Sequence, residues 1–204
     1  MEPQGGRVDA PTEEFHAFFD RYYADLSRLA YLLLGDSEGA DDLAADALVA
    51  VWRRWDRVRA TGDPLAHARG VVAGMARTRT RSLMRERRRI ALFWSHRPDR
   101  IDDPDVPAVL DVRDALARLP LRKRACVVLR HAFDLSEKET ARALGVSVGT
   151  VKSQTSRGIA ELERLLAPDR RSARHAYEHH TYRAVRALRT EPAGRSSWWP
   201  TAST

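Results

Sequence analysis

The sequence predicts an all-α chain built as two small helical domains joined by an acidic linker. Three observations carry that reading. Apolar residues recur at helical spacings from Phe15 to Leu83 and again from Val112 to Leu166. The rhythm fails across Ala91 to Leu110, where Pro98, Pro104 and Pro107 stand among Asp99, Asp102, Asp103 and Asp105. Ser136 to Arg157 reads as a capped helix, a glycine stop and a second capped helix in immediate order. The organisation expected is a flexible tail over 1–12, a first domain over 13–90, the linker over 91–110, a second domain over 111–167, and a basic extension over 168–204.

In the first domain, Phe15, Phe18, Phe19, Tyr22, Tyr23, Leu26, Leu29, Ala30 and Leu33 form one helical stripe that stops at Leu34-Gly35. Asp36 or Ser37 opens a second helix running from Glu38 to about Asp56, with Leu43, Ala47, Leu48, Val51, Trp52 and Trp55 on its apolar side. Asp41, Asp42 and Asp46 sit early on this helix and Arg53 and Arg54 late, the order a helix dipole favours. Two readings fit the acids: dipole compensation, or a docking face for a basic partner helix. Arg57 to Pro64 reads as a loop, with Asp63 as the cap and Pro64 at the first helical position of a third helix. That helix carries Leu65, Ala68, Val71, Val72 and Met75 on one side. It becomes strongly basic from Arg77 to Arg89, where arginines alternate with threonines in a way that suits a phosphate backbone.

Past the linker, Val112, Ala115, Leu116 and Leu119 predict a helix ended by Pro120, and Ala125, Cys126, Val128, Leu129 and Ala132 predict another running to about Phe133. On this base stands the two-helix motif. Ser136 and Glu139 form a capping box; Thr140, Ala143 and Leu144 face inward; Gly145 supplies the left-handed stop. Val146 is expected to pack into the turn. Ser147 caps the second helix, whose apolar stripe is Val148, Val151, Thr155 and Ile159 and which ends before Pro168. Its other face shows Thr150, Lys152, Ser153, Gln154, Ser156 and Arg157, short hydrogen-bonding groups and two cations of the kind that read base edges and grip phosphates. In the extension, Ser172 to Leu188 suggests a further basic helix and Gly194 to Thr204 suggests disorder. His175 and His179 lie at i, i+4 with no third ligand in an evident frame, so no metal site is read.

The formal net charge of +7 over 204 residues, with arginine far outnumbering lysine, favours a polyanionic partner, nucleic acid before anionic membrane. No apolar run approaches the roughly 20 residues of a membrane span, and the first ten residues do not resemble a signal peptide. The single cysteine, Cys126, stands in an apolar run and reads as a small buried hydrophobe. A cytoplasmic protein is expected. No phosphate-binding glycine loop, metal set or activated nucleophile is read, so neither an enzyme nor a cofactor is expected.

Two blocks of the sequence resemble the extracytoplasmic-function (ECF) sigma factors of bacterial RNA polymerase, in particular the SigE-like group of actinobacteria. The first block is Arg28-Leu29-Ala30-Tyr31, Gly35-Asp36, Ala40-Asp41-Asp42-Leu43-Ala44-Ala45-Asp46-Ala47 and Val51-Trp52-Arg53-Arg54, similar to sigma region 2, a helical bundle. The second is Leu119-Pro120-Leu121-Arg122-Lys123-Arg124 through Val148-Gly149-Thr150-Val151-Lys152-Ser153 to Arg157, similar to the helix-turn-helix of region 4. Asp42 to Asp46 keeps the family's charges on smaller side chains. Gly74 replaces a frequent asparagine, and Gln154 and Ser156 stand where arginine and a bulkier residue are common.

The resemblance implies that Asp42, Leu43, Asp46, Trp52 and Arg53 dock on core polymerase at the clamp helices of its largest subunit. Arg57, Arg59, Asp63, His67, Arg69, Gly74, Arg77 and Thr78 would recognise and melt the minus-10 element, holding a flipped base at the loop. Ser147, Thr150, Lys152, Ser153, Gln154, Ser156 and Arg157 would sit at the minus-35 element, with region 4 also meeting the polymerase flap. The expected function is promoter recognition, promoter melting and transcription initiation, with polymerase core and promoter DNA as partners and an anti-sigma factor left open. The alternative is a stand-alone helix-turn-helix regulator that binds duplex DNA without polymerase.

Overall fold

The computed structural model describes residues 10–93, 107–166, 185, 186 and 188; among these the regular elements are all helical. Helix α1 (Ala10–Leu34) begins inside the expected tail and buries Phe15, Phe18, Leu26, Leu29, Ala30 and Leu33, the stripe its spacing prescribes. It stops at Gly35, whose φ of +80° is left-handed and cheap only for glycine. Helix α2 (Ser37–Trp52) is capped by Asp36, whose carboxylate accepts from the Gly39 amide at 3.0 Å. Ser27 Oγ donates to Asp41, tying α1 to α2.

The chain then departs from expectation. Instead of one helix to Asp56 and a loop to Asp63, the structure breaks at Arg53 and Arg54 and forms a short helix α3 (Trp55–Arg59). The break lets Trp55 turn back under α1, where its ring lies 5.2 Å from Phe15 and 5.1 Å from Phe18. Edge-on and tilted aromatic pairs of this kind add about 1 kcal/mol each to the area they bury. Helix α4 (Pro64–Phe93) starts where proline suits the first turn, with Asp63 Oδ1 accepting from the Ala66 amide at 2.9 Å. Ala68, Val72 and Ala76 lock it against α1 and α2.

Helix α5 (Pro107–Arg118) takes the last residues of the expected linker, as α4 takes its first, so residues 94–106 and most of 167–204 lie outside the described residues, together with the readings for the acids of the linker, for His175 and His179, and for Gly194 to Thr204. Helix α6 (Leu121–Val127) passes into a π-helical turn over Val128–Ala132, where one α-helix to Phe133 is expected. The Phe133 amide donates to Val128 O at 3.2 Å, and Arg130 donates to Leu135 O across the exit. The wider turn keeps Val128, Leu129 and Ala132 buried while the chain reverses at Asp134, φ +53°. Helices α7 (Glu137–Leu144) and α8 (Val148–Leu166) complete the second unit.

The two units share one contiguous apolar core. At its centre Arg124 of α6 is buried and donates to Leu33 O at 2.5 Å, Leu119 O at 3.1 Å and Ala117 O, joining the ends of α1 and α5. Val185 and Leu188 of the extension belong to the same core, and Arg28 Nε donates to Leu188 O at 2.5 Å.

Candidate nucleic-acid interface

The helix-turn-helix forms as its residues dictate. Ser136 Oγ accepts from the Glu139 amide at 3.2 Å and Glu139 accepts from the Ser136 amide at 2.7 Å; these reciprocal bonds hold the Glu139 carboxyl below the usual glutamate value. Gly145, φ +63°, ends α7, and the Val146 amide donates to Ala141 O at 3.1 Å. Ser147 caps α8 by accepting from the Thr150 amide at 3.1 Å, and the two hydroxyls bond at 2.8 Å. Both therefore serve the turn itself. Val151, Ile159 and Leu162 anchor α8, and Gly158 approaches α6 so closely that a Cβ there would meet Val127 Cγ2 at 2.6 Å. Lys123 and Glu161 clasp the same helices at 2.6 Å.

With that side committed, Lys152, Ser156 and Arg157 stand exposed and Ser153 half-buried on the outside of α8. Ser153 donates to Thr150 O at 3.0 Å. Gln154 lies on the flank turned toward α4. Two expectations fail here: Val146 and Val148 are each 40% exposed rather than packed, because Gly145 swings the turn out from the core.

Along α4, His67, Gly74, Thr78, Arg81 and Arg85 follow one line at helical spacing, with Arg77 beside it. His67, Arg77, Thr78, Arg81 and Arg85 are exposed, and Thr78 donates to Gly74 O at 3.2 Å. Arg57 is exposed on α3, whereas Arg59 pairs with Glu14 at 3.2 Å and Asp56 at 3.1 Å. Asp63 caps α4 and also meets Arg142 of α7 at 3.4 Å. Arg69 points away from the line, its guanidinium 5.5 Å from the centre of the Phe133 ring. The structure thus groups most of the expected minus-10 residues and turns Asp63 and Arg69 toward the second unit.

On α2, Asp42, Asp46 and Arg53 align on one exposed face, with Trp52 at its margin, 40% exposed and 4.8 Å from Phe15. Leu43 lies beneath this face, in the core at 3% exposure. Val49, 48% exposed between Asp46 and Arg53, belongs to the face and is absent from the sequence-derived set; its place in the i, i+4, i+7 series is the signal that finds it. Asp41 and Asp42, after burial, raise the Tyr23 phenol above its ordinary value, a mark of the negative field at this end of the bundle. Arg79, also outside that set, donates to Gly39 O at 3.2 Å and braces α4 against the start of α2. A groove between α2 and α4 brings Asp46, Gly74 and Thr78 together.

Residues 18–90 match the family model described as Sigma-70 region 2, and residues 110–162 match Sigma-70, region 4. The chain is 36% identical over 152 residues to the RNA polymerase sigma-E factor of Streptomyces avermitilis, covering 73% of this chain and 83% of that protein. The chain belongs to the ECF sigma factors. It is also 34% identical to the ECF RNA polymerase sigma factor SigM of Mycobacterium tuberculosis, over 74% of this chain and 76% of that one. Among solved structures, the sigma factor RpoE of Bartonella quintana, in complex with the anti-sigma factor NepR, superimposes with a TM-score of 0.59 at 25% identity, covering 78% of this chain and 99% of that one. As a sigma factor the protein is a non-enzymatic subunit that gives RNA polymerase its promoter recognition and starts transcription. The alternative of a stand-alone regulator leaves the region 2 match unexplained.

Proposed function

We propose a division of labour among the three faces. The α2 face of Asp42, Asp46, Val49, Trp52 and Arg53 docks on the clamp helices of the polymerase's largest subunit. Its support is an exposed line of acids with an apolar centre, which suits a basic, amphipathic helix pair. The α4 line of His67, Gly74, Arg77 and Thr78, with Arg57, engages the minus-10 element; its exposed cations suit a separated strand. Arg59, Asp63 and Arg69 contribute there only after their present partners release them. Lys152, Ser153, Gln154, Ser156 and Arg157 meet the minus-35 major groove, with Ser147 and Thr150 holding the turn. Region 4 also contacts the polymerase flap. The protein works in the cytoplasm with its polymerase, and no described helix is long and apolar enough to cross a membrane. An anti-sigma factor is a further partner, by analogy with the Bartonella quintana relative, which is bound to one.

The observation that carries this reading is the polar, cation-bearing face of α8, presented by a capped helix-turn-helix downstream of an acid-lined α2. Reconstitution tests it. The purified chain should co-elute with core polymerase and yield transcripts from promoters of its own host; no transcript from any of them overturns it.

A further inference from the structure

Part of each face assigned above to a promoter element turns toward the other unit. Gly74 and Arg77 of α4, and Thr150 and Gln154 of α8, line a single cavity of about 300 Å³ between the two units. Minus-10 and minus-35 elements lie about 25 base pairs apart, or about 85 Å at 3.4 Å per base pair. Side chains that share so small a cavity cannot serve both at once, and no duplex fits between them.

The seam beside the cavity is built rather than incidental. Helix α7 crosses α4 at Gly70, where a Cβ would come 2.3 Å from Ala143 O. Only glycine permits that backbone approach, although it is a poor residue for the middle of a helix. Asp63–Arg142 and Arg69–Phe133 flank the crossing, and Arg124 bonds to Leu33 O deeper in the seam. The extension then spans both units: Leu188 O accepts from Arg28 of α1, the Val185 and Leu188 side chains are fully buried in the shared core, and Arg186 pairs with Asp134 of the second unit at 3.4 Å.

We propose that the free protein rests in a closed, self-inhibited state, with α7 seated on α4 at Gly70 and the chain's own Val185, Arg186 and Leu188 latching the two units. The latch belongs to the chain itself, so closure requires no second protein, and opening is coupled to promoter binding. The inhibitory half of this inference rests on the DNA roles proposed for α4 and α8; the closed geometry does not.

Spin labels at exposed positions in the full-length chain, introduced as A24C and K138C, read the distance between units without DNA or polymerase; the native Cys126 thiol is buried and stays unlabelled. The wild type is expected to give one narrow distance. Gly70→Ala favours the α4 helix while blocking the seat, so it should lengthen and broaden that distance without loss of helical signal. Leu188→Asp should do the same. At the rim, Arg186→Asp should open a smaller fraction, and adding Asp134→Arg should restore closure, which a general loss of packing would not allow. In unlabelled chains, Gly70→Ala should bind a minus-35 duplex at least 10-fold more tightly than the wild type. Distances in Gly70→Ala and Leu188→Asp identical to the wild type overturn the closed state. Longer distances without a gain in DNA affinity uphold closure and overturn inhibition, removing the DNA roles assigned to these faces.

Discussion

Arg124 shows how one side chain settles more than its sequence context suggests. It stands in a basic run, Arg122-Lys123-Arg124, where neighbours remain at least partly in solvent, yet burial pushes its own value down to about 10 and its fork reaches carbonyls at the ends of α1 and α5. It stays charged at neutral pH, so those carbonyls satisfy a buried cation. Arg124→Ala leaves them without a donor and should cost about 3 kcal/mol in urea unfolding, with Arg124→Lys recovering only part because an ammonium lacks the planar fork. His131 acts in the other direction. Burial, reinforced by Arg130 and opposed by Asp134, pushes it down from 6.5 to about 4. The unfolded chain takes up that proton near 6.5 and the folded one only near 4. Stability is therefore complete above the higher value and falls as pH drops through the window. Because the ring is partly exposed, about 1 kcal/mol is the expected loss between pH 7.5 and 5, and denaturant titrations of His131→Gln at the two pH values should show a smaller one.

At the scale of elements, the stripe of α1, those of α2 and α8 apart from Trp52 and Val148, and the punctuation at Asp36, Asp63, Ser136 and Gly145 were legible because each depends on neighbours within one helical turn. The break at Arg53–Arg54 was not, since Trp52 and Trp55 are equally apolar and only the position of Phe15 and Phe18 decides which goes inside. The π turn escaped for the same reason: it answers to the burial of Val128, Leu129 and Ala132 against the surrounding helices, not to a local signal in those residues. Leu43 sits in the stripe with Ala47 and Val51 and remains core, although the family resemblance places it on the docking face. The exposed line beside it carries the prediction for α2. Asp46→Lys reverses charge at the centre of that line without touching the core, and it should abolish co-elution with core polymerase while leaving the thermal melt unchanged. For α8, Lys152→Ala and Arg157→Ala in the reconstituted holoenzyme should each weaken minus-35 binding by about 1–3 kcal/mol if the lost contact is to a base. An equal loss on every sequence, with a shallower salt dependence, assigns the side chain to phosphate instead.

For the whole molecule, the sequence divides the chain at a proline-rich stretch, and the two family models divide it at the same place. Nothing in either half announces that they share a core, because the contacts at the seam are a glycine's missing side chain, backbone carbonyls and single apolar residues scattered from Leu33 to Leu188. Such contacts have no period and no motif. Their consequence is thermodynamic. Two domains on a free tether unfold independently, whereas units that bury apolar surface against each other lose it together and unfold as one. Calorimetry of the full-length chain at neutral pH should therefore show a single transition whose calorimetric and van't Hoff enthalpies agree. Raised salt should move it little, since the ion pairs at the seam, Asp63–Arg142 and Arg186–Asp134, are substantially exposed and weak while the buried contacts are insensitive to screening. Two resolved transitions in the wild-type protein would mean that the two units do not hold one another in solution.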